Sequence, residues 1–516
     1  MTQAANTDPR HGRAGRQPTR QFLDSLSGNV DPGLLGRMFP NLPPLTASDA
    51  QLQALADAMK DANPSDPGGD SNIPSGFTYL GQFVDHDITL DLTSIAEKQE
   101  DPLATTNFRT PRLDLDNVYG LGPDGSPQLY ARDPANITQP GPKLLIGKTG
   151  TTSQVAGVFP NDLPRSPEGR ALIGDHRNDE NLLVAQTQLA FLKFHNKVVD
   201  RLASGPNPPA PGQLFAEARK QVTWHYQWMV LHDWVERITE TGIVAKILHE
   251  GRKFYRFHKV PYMPVEFSAA AYRLGHSMVR EAYSHNHVFT VGGVVPARLG
   301  LEFAFSGLSG IILGGIAATT PNTPGLPPNV ETLPSNWIID WSRFHEFNPP
   351  IPPTPNFHFN RTRKIDPFVV PQLHDLPGGG GSLPFRNLRR GVMLGLPSGQ
   401  DVATFMRLPV LTPEEIASGT DGAVAKAQGL DKATPLWYYI LKEAQLKGGS
   451  QRLGPVGARI VAEVFVGLVA GDVTSYLGVD PKWTPTLPAN TPGTFLMSDL
   501  LRFVGEISPI DQITTG

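Results

Sequence analysis

Three of the fourteen histidines in this chain stand among residues that could do chemistry with them. In Gln82-Phe83-Val84-Asp85-His86-Asp87 an imidazole is bracketed by two carboxylates at the end of an apolar run. A helix there carries Gln82 and His86 on one face, at i and i+4. Flanking carboxylates can orient such a ring or help it bind a cation. In His176-Arg177-Asn178-Asp179-Glu180, Arg177 sits where a loop hands over to a long apolar segment. Asp179 and Glu180 equally suit an ordinary helix start, where acidic groups favour the positive end of the macrodipole. In Arg273-Leu274-Gly275-His276 a glycine interrupts a helical pattern, at about 1 kcal/mol relative to alanine. It permits close approach, either of a neighbouring helix or of a flat cofactor stacked beside His276.

A fourth element, Thr110-Pro111-Arg112-Leu113-Asp114-Leu115-Asp116, has polar groups at every second residue. In an extended loop this spacing turns Thr110, Asp114 and Asp116 to one side. Hydroxyl, carbonyl and carboxylate oxygens fanned in this way suit Ca2+, which takes about 6–8 oxygen ligands. No glutamate stands at the twelfth position from Asp114, so the loop is not an EF-hand, and an exposed acidic loop is the simpler account of these residues alone. His249-Glu250 and His345-Glu346 lack the second histidine that a zinc-hydrolase helix needs three positions after the glutamate.

These residues need a scaffold, and the hydrophobic period supplies helices. The clearest runs from Asp179 to Leu202, with Leu182, Leu189, Phe191, Phe194 and Val198 on a broad apolar face. Similar patterns cover Gln213 to Thr239, Pro264 to Tyr283, Thr434 to Leu446 and Gly454 to Tyr476. The 51 glycines and 50 prolines gather between them, at Pro64 to Gly69, Pro206 to Gly212, Thr319 to Pro334, Pro349 to Pro355 and Pro377 to Pro384, which reads as loops between helices. Strand-like alternation is short and scarce. The expected fold is mainly α-helical with long proline- and glycine-rich connections.

A net charge of -4 with 18% charged residues creates no field that would attract nucleic acid or an anionic membrane, so small molecules are the expected partners. The chain has no cysteine, which excludes disulfides, Cys-ligated zinc, iron–sulfur clusters and thiolate-bound haem. Any metal must use histidine, carboxylate or carbonyl ligands. Met1 to Arg20 is polar and lacks the apolar core of a signal peptide, and the apolar stretch from Phe305 to Ala318 is shorter than the roughly 20 residues needed to span a bilayer. A soluble protein, cytoplasmic or exported by a non-classical route, is expected.

In this order the elements resemble the animal-type haem peroxidases, the family of myeloperoxidase, lactoperoxidase and bacterial relatives. The family's distal Gln and Asp-His-Asp correspond to Gln82, Asp85, His86 and Asp87. Its calcium loop corresponds to Thr110, Arg112 (as a carbonyl donor), Asp114 and Asp116, followed by Tyr119-Gly120. Its Arg-x-x-Glu before a long helix carrying His-Asn matches Arg177, Glu180 and His195-Asn196, and its Arg-x-Gly-His matches Arg273 to His276. A later Leu-Pro-x-x-Asn matches Leu383-Pro384 and Asn387, with Arg390 within reach of a haem propionate. The anchored region spans about Phe77 to Pro397. The resemblance implies a polar extension over residues 1–30 and one haem peroxidase domain over 31–516.

It further implies haem b, with His276 as iron ligand, Asn387 as the partner of that histidine, His86 as distal acid–base residue, Arg177 as its cationic partner, and Gln82 lining the distal cavity. Hydrogen peroxide and a small reducing substrate would be the reactants. Asp85 and Glu180 match the carboxylates that can esterify haem, whereas Asn181 replaces the methionine that forms a sulfonium link in myeloperoxidase. After Asn387 the chain reads Leu388-Arg389-Arg390-Gly391 and departs from the family's Arg-Asp-His continuation. Fatty-acid dioxygenases of the same superfamily carry a radical tyrosine three residues before the proximal histidine, where this chain has Arg273. Tyr272 is adjacent, but one helical step turns a side chain by about 100°, so it is expected to point elsewhere. Peroxidase is therefore favoured over dioxygenase, and over a haem-free peroxidase-like binding protein.

Overall fold

Eleven of the thirteen residues of α1 (Gly76–Ile88) are buried, because apolar side chains circle this helix instead of forming a single stripe. Its two half-buried residues are Gln82 and Asp85. In this computed structural model the described residues are 35–89, 111–166, 169–291, 295–304, 306, 332–376 and 380–514. The 1–30 extension, Thr110 and nearly all of the apolar stretch from Phe305 lie outside them.

A single turn, α2 (Asp116–Tyr119), follows Leu115, whose left-handed backbone at φ 59° turns the chain back toward α1. Helix α3 (Leu182–Ala203) starts at Asn181, whose side chain accepts from the Val184 N–H and satisfies one of the free donors of the first turn. Helix α4 (Leu214–Met229) runs on into a π-helical segment, Val230–Val235, a form frequent at functional sites. The three long helices meet through aromatic rings: Phe83 of α1 stacks on Phe191 of α3 at 4.4 Å, and Tyr226 of α4 stands edge-on to both.

The helix expected from Pro264 to Tyr283 is broken. Val265–Ser268 is helical, Ala270 leaves the helical region at φ -134°, Ala271–Leu274 is a 3-10 turn, and only then comes α5 (Gly275–Met278). The Arg273 carbonyl accepts from Trp437 Nε1 at 3.2 Å. Helices α6 (Leu383–Met393), α7 (Leu436–Lys447) and α8 (Pro455–Gly471) complete the part of the fold that surrounds this segment.

The fold is mainly α, as expected: 48% helical against 10% strand. Among the described residues the strands form only two-stranded sheets, such as Asp70–Pro74 with Arg361–Arg363. One hydrophobic core takes residues from Leu35 to Ile507. Among the described residues no helix is long and apolar enough to cross a membrane.

One buried carboxyl links α7 to α8. Glu443 accepts from the N–H groups of Val456 and Gly457 at the start of α8, yet burial pushes its pKa from 4.5 up to about 7. The folded protein therefore holds a proton that the unfolded chain releases near pH 4.5. Stability from this group is full below that pH and is lost as pH rises through about 7. At ~1.4 kcal/mol per tenfold change in proton affinity, the loss is about 3 kcal/mol. Glu443→Gln keeps an acceptor for both donors, so its thermal stability should decline less than wild type between pH 5 and 8. Parallel slopes in melting experiments would place the titration elsewhere.

Candidate active site

Helix α1 carries Gln82, Asp85 and His86 to the wall of a cavity that opens to solvent and encloses about 1240 Å³ of space with its mouth included. Arg177 and Glu180 reach it from the segment leading into α3, Arg273 and His276 from the broken segment, and Asn387 and Arg390 from α6. All nine residues singled out above as catalytic or cofactor-binding line this one space.

Around α1, His86 Nδ1 lies 2.7 Å from Asn178 Oδ1, and its Nε2 lies 3.7 Å from Glu180 Oε1. Gln82 donates its amide N–H to Glu180 and accepts from Asn181 Nδ2 at 3.0 Å. Burial pushes the Glu180 carboxyl up to about 7, opposed by the Arg177 charge and helped by Asp175. A carboxyl poised there can hold or release a proton beside His86. Arg177 is fixed on several sides: Nε and Nη2 donate to Asp175, and Nη2 also donates to the carbonyls of His86 and Thr89 at 3.0 and 2.6 Å. It therefore braces the end of α1, and Asp175 offsets part of its charge. The expected capping role falls to Asn181, while Asp179 pairs with Arg165 at 2.6 Å.

On α5, His276 Nδ1 accepts from Asn387 Nδ2 at 2.8 Å. Turning that amide end for end leaves its shape unchanged and offers a carbonyl oxygen instead, the arrangement a metal-bound histidine with its proton on Nδ1 needs. Burial, then the Arg273 and Arg386 charges, lowers the pKa of His276 to about 3, so the ring stays neutral and available as a ligand. Arg390 is lowered to about 10 by burial against the opposing charge of Asp85. With Arg273 and Arg386 it gives the wall a cationic character suited to carboxylates.

Gly275 answers the question left by the sequence. A Cβ built there meets no atom within 4 Å, so no helix approaches it, and the open space is the cavity itself. Gly81 is the opposite case: a Cβ would sit 2.6 Å from Trp234, which packs against bare backbone. Tyr272 departs from expectation and lines the cavity. Its hydroxyl donates to the Gly81 carbonyl at 3.1 Å and accepts from Trp234 Nε1 at 2.7 Å.

Behind His86, one carboxylate oxygen each from Asp87, Asp114 and Asp116 lie within 4.8 Å of one another. Burial and the neighbouring Asp116 charge push Asp114 up to about 7. Crowded hard oxygens of this kind fit a divalent cation such as Ca2+. Arg112 stands half-buried two residues before Asp114. Sequence reasoning passed over Asp175, Asn178 and Arg386. Asp175 and Asn178 flank an arginine already noted, while Arg386 precedes Asn387, so proximity to marked residues was the available signal.

The animal haem peroxidase family matches residues 92–292. A peroxidase-like protein of Margaritifera margaritifera is 30% identical over 262 residues, 40% of this chain and 32% of that protein. The match spans about a third or less of the length of this and the other curated relatives. Among solved structures, peroxidase A from Dictyostelium discoideum superposes with a TM-score of 0.59 at 16% identity, over 95% of both chains. The fatty acid alpha-dioxygenase of Arabidopsis thaliana gives 0.55 at 15% identity, over 84% of this chain and 72% of that one. Together these likenesses support the peroxidase–cyclooxygenase superfamily.

Proposed function

We propose that this chain is a haem peroxidase that reduces hydrogen peroxide and oxidises a small donor such as a halide, thiocyanate or a phenol. The observation that carries this reading is the meeting of His86 and His276, each with an amide partner, on the wall of one cavity. A bound haem b would supply the redox centre at which peroxide is cleaved and the donor oxidised. His276 would hold the iron, with Asn387 accepting from its Nδ1. Arg273, Arg386 and Arg390 would neutralise the propionates. Asp85 and Glu180 are the carboxyls on the wall that can form ester links.

His86 takes the first proton of hydrogen peroxide and returns it to the departing oxygen. Glu180, 3.7 Å away and titrating near neutrality, shares that proton. Arg177 braces the end of α1 through the His86 carbonyl, and its charge disfavours a protonated His86. Gln82 orients water or a halide. The 1–30 segment is an extension to a catalytic domain over 31–516.

Gly275→Leu separates the cavity from the fold. The new side chain enters open space from helical backbone, so circular dichroism and thermal melting should match wild type while hemin no longer produces a Soret band. A variant that takes up haem normally would remove the cofactor from this cavity.

Asp87, Asp114 and Asp116, with Thr110 and the Arg112 carbonyl, would bind Ca2+ and clamp the residue after His86. A concentration of ~100 Kd should add about 2.7 kcal/mol of stability. Melting with Ca2+ against chelator measures this, and Asp87→Asn should abolish the difference.

One observation favours a second reading, fatty-acid oxygenation, because a tyrosine, Tyr272, does stand on the cavity wall. Oxygen uptake with a fatty acid that disappears in Tyr272→Phe would support it over donor oxidation.

A further inference from the structure

A line of hydrogen bonds runs from His86 into the interior and ends on the backbone. His86 Nδ1 lies 2.7 Å from Asn178 Oδ1, Asn178 Nδ2 donates to Gln188 Oε1 at 2.7 Å, and Gln188 Nε2 donates to the Asn117 carbonyl at 3.3 Å. Asn178, Gln188 and Asn117 are fully buried. An amide can be turned end for end without changing shape, so its orientation is decided by what its neighbours can donate or accept.

The carbonyl of Asn117 can only accept. Gln188 must therefore present its NH2 group there, which leaves its oxygen for Asn178. Asn178 must in turn direct its NH2 group to Gln188 and face His86 with its oxygen. Reversing the line would press the Gln188 oxygen against the Asn117 carbonyl, two acceptors in contact in a dry interior.

We infer that Gln188, which does not line the cavity, is a positioning residue that acts through Asn178 to fix the proton of His86 on Nδ1 and leave the lone pair on Nε2. The catalytic meaning of this tautomer rests on the reading of His86 as proton acceptor; the tautomer itself does not. A neutral imidazole has one basic nitrogen, and with Nδ1–H held by Asn178 that nitrogen is the one nearest Glu180. An amide partner sets the tautomer without the negative charge that would favour imidazolium. The line ends in α2, the turn that also carries Asp116 of the carboxylate cluster.

The test is 15N NMR of the haem-free protein labelled at histidine, at a pH where His86 is neutral, with its signals assigned by difference from His86→Ala. Wild type should carry the His86 proton on Nδ1, with under about a tenth in the other form, the discrimination expected from one buried hydrogen bond. Gln188→Met frees Asn178 to turn, and the Nε2-protonated fraction should rise several-fold. Gln188→Glu still offers an oxygen to Asn178 in either ionisation state and should restore the wild-type ratio. If Gln188→Met does not fold, Asn178→Ala makes the same test one link nearer. The inference is overturned by a wild-type protein protonated on Nε2, or by a folded Gln188→Met, or Asn178→Ala in its place, that keeps the wild-type ratio. Failure to bind haem would sink the peroxidase reading and leave this measurement standing.

Discussion

His86→Ala is expected to slow the reaction of the haem-loaded protein with hydrogen peroxide by about 10²–10⁴-fold, the usual worth of a positioned general acid–base. The substitution removes the imidazole but leaves the architecture around it, because Asn178 keeps its bond to Gln188 and Arg177 holds the backbone carbonyl of residue 86. Haem uptake should therefore persist, which separates a chemical loss from a binding loss. Rapid-mixing absorbance after a peroxide pulse measures the rate, and added imidazole should restore part of it by entering the vacated space. A rate within a few-fold of wild type would move the proton transfer to another group, with Glu180 the next candidate at neutral pH.

His276→Ala should abolish the Soret band that hemin induces in wild type. Iron would lose its protein ligand, and no cysteine exists to replace it. Asn387→Leu tests the partner: loss of a bond to a ligand histidine typically weakens metal binding by 10–100-fold. Asn387→Asp should retain haem and lower its reduction potential, because a carboxylate gives the imidazole more anionic character. A His276→Ala protein with an unchanged spectrum would place the iron on a different residue.

Much of this arrangement was legible in the residue order. Short motifs mark local chemistry, and the distal, α3-entry, proximal and α6 segments each placed their functional side chains on the same cavity. What failed were inferences that depended on backbone continuity. The continuous helix expected from Pro264 to Tyr283 breaks at Ala270, and the bonds that hold Arg177, to Asp175 and two carbonyls, exist only once α1 and this loop are folded together. Tyr272 was turned away from the site by counting one helical step from Arg273, yet it stands four residues before His276, and Tyr272, Arg273 and His276 all line the cavity.

The sequence by itself determined the helical class, through hydrophobic period, and marked the side chains that line the cavity, through types that are unusual in such company. Only the tertiary structure decided orientation. The amide line from Asn117 to His86 joins residues 31, 92 and 102 positions away in sequence from that histidine, and its direction follows from one backbone carbonyl that only folding brings into place. Asn387 likewise meets His276 across 111 positions. Spacing along the chain encodes which groups are present. Which atom carries the proton depends on long-range contacts formed when water is excluded.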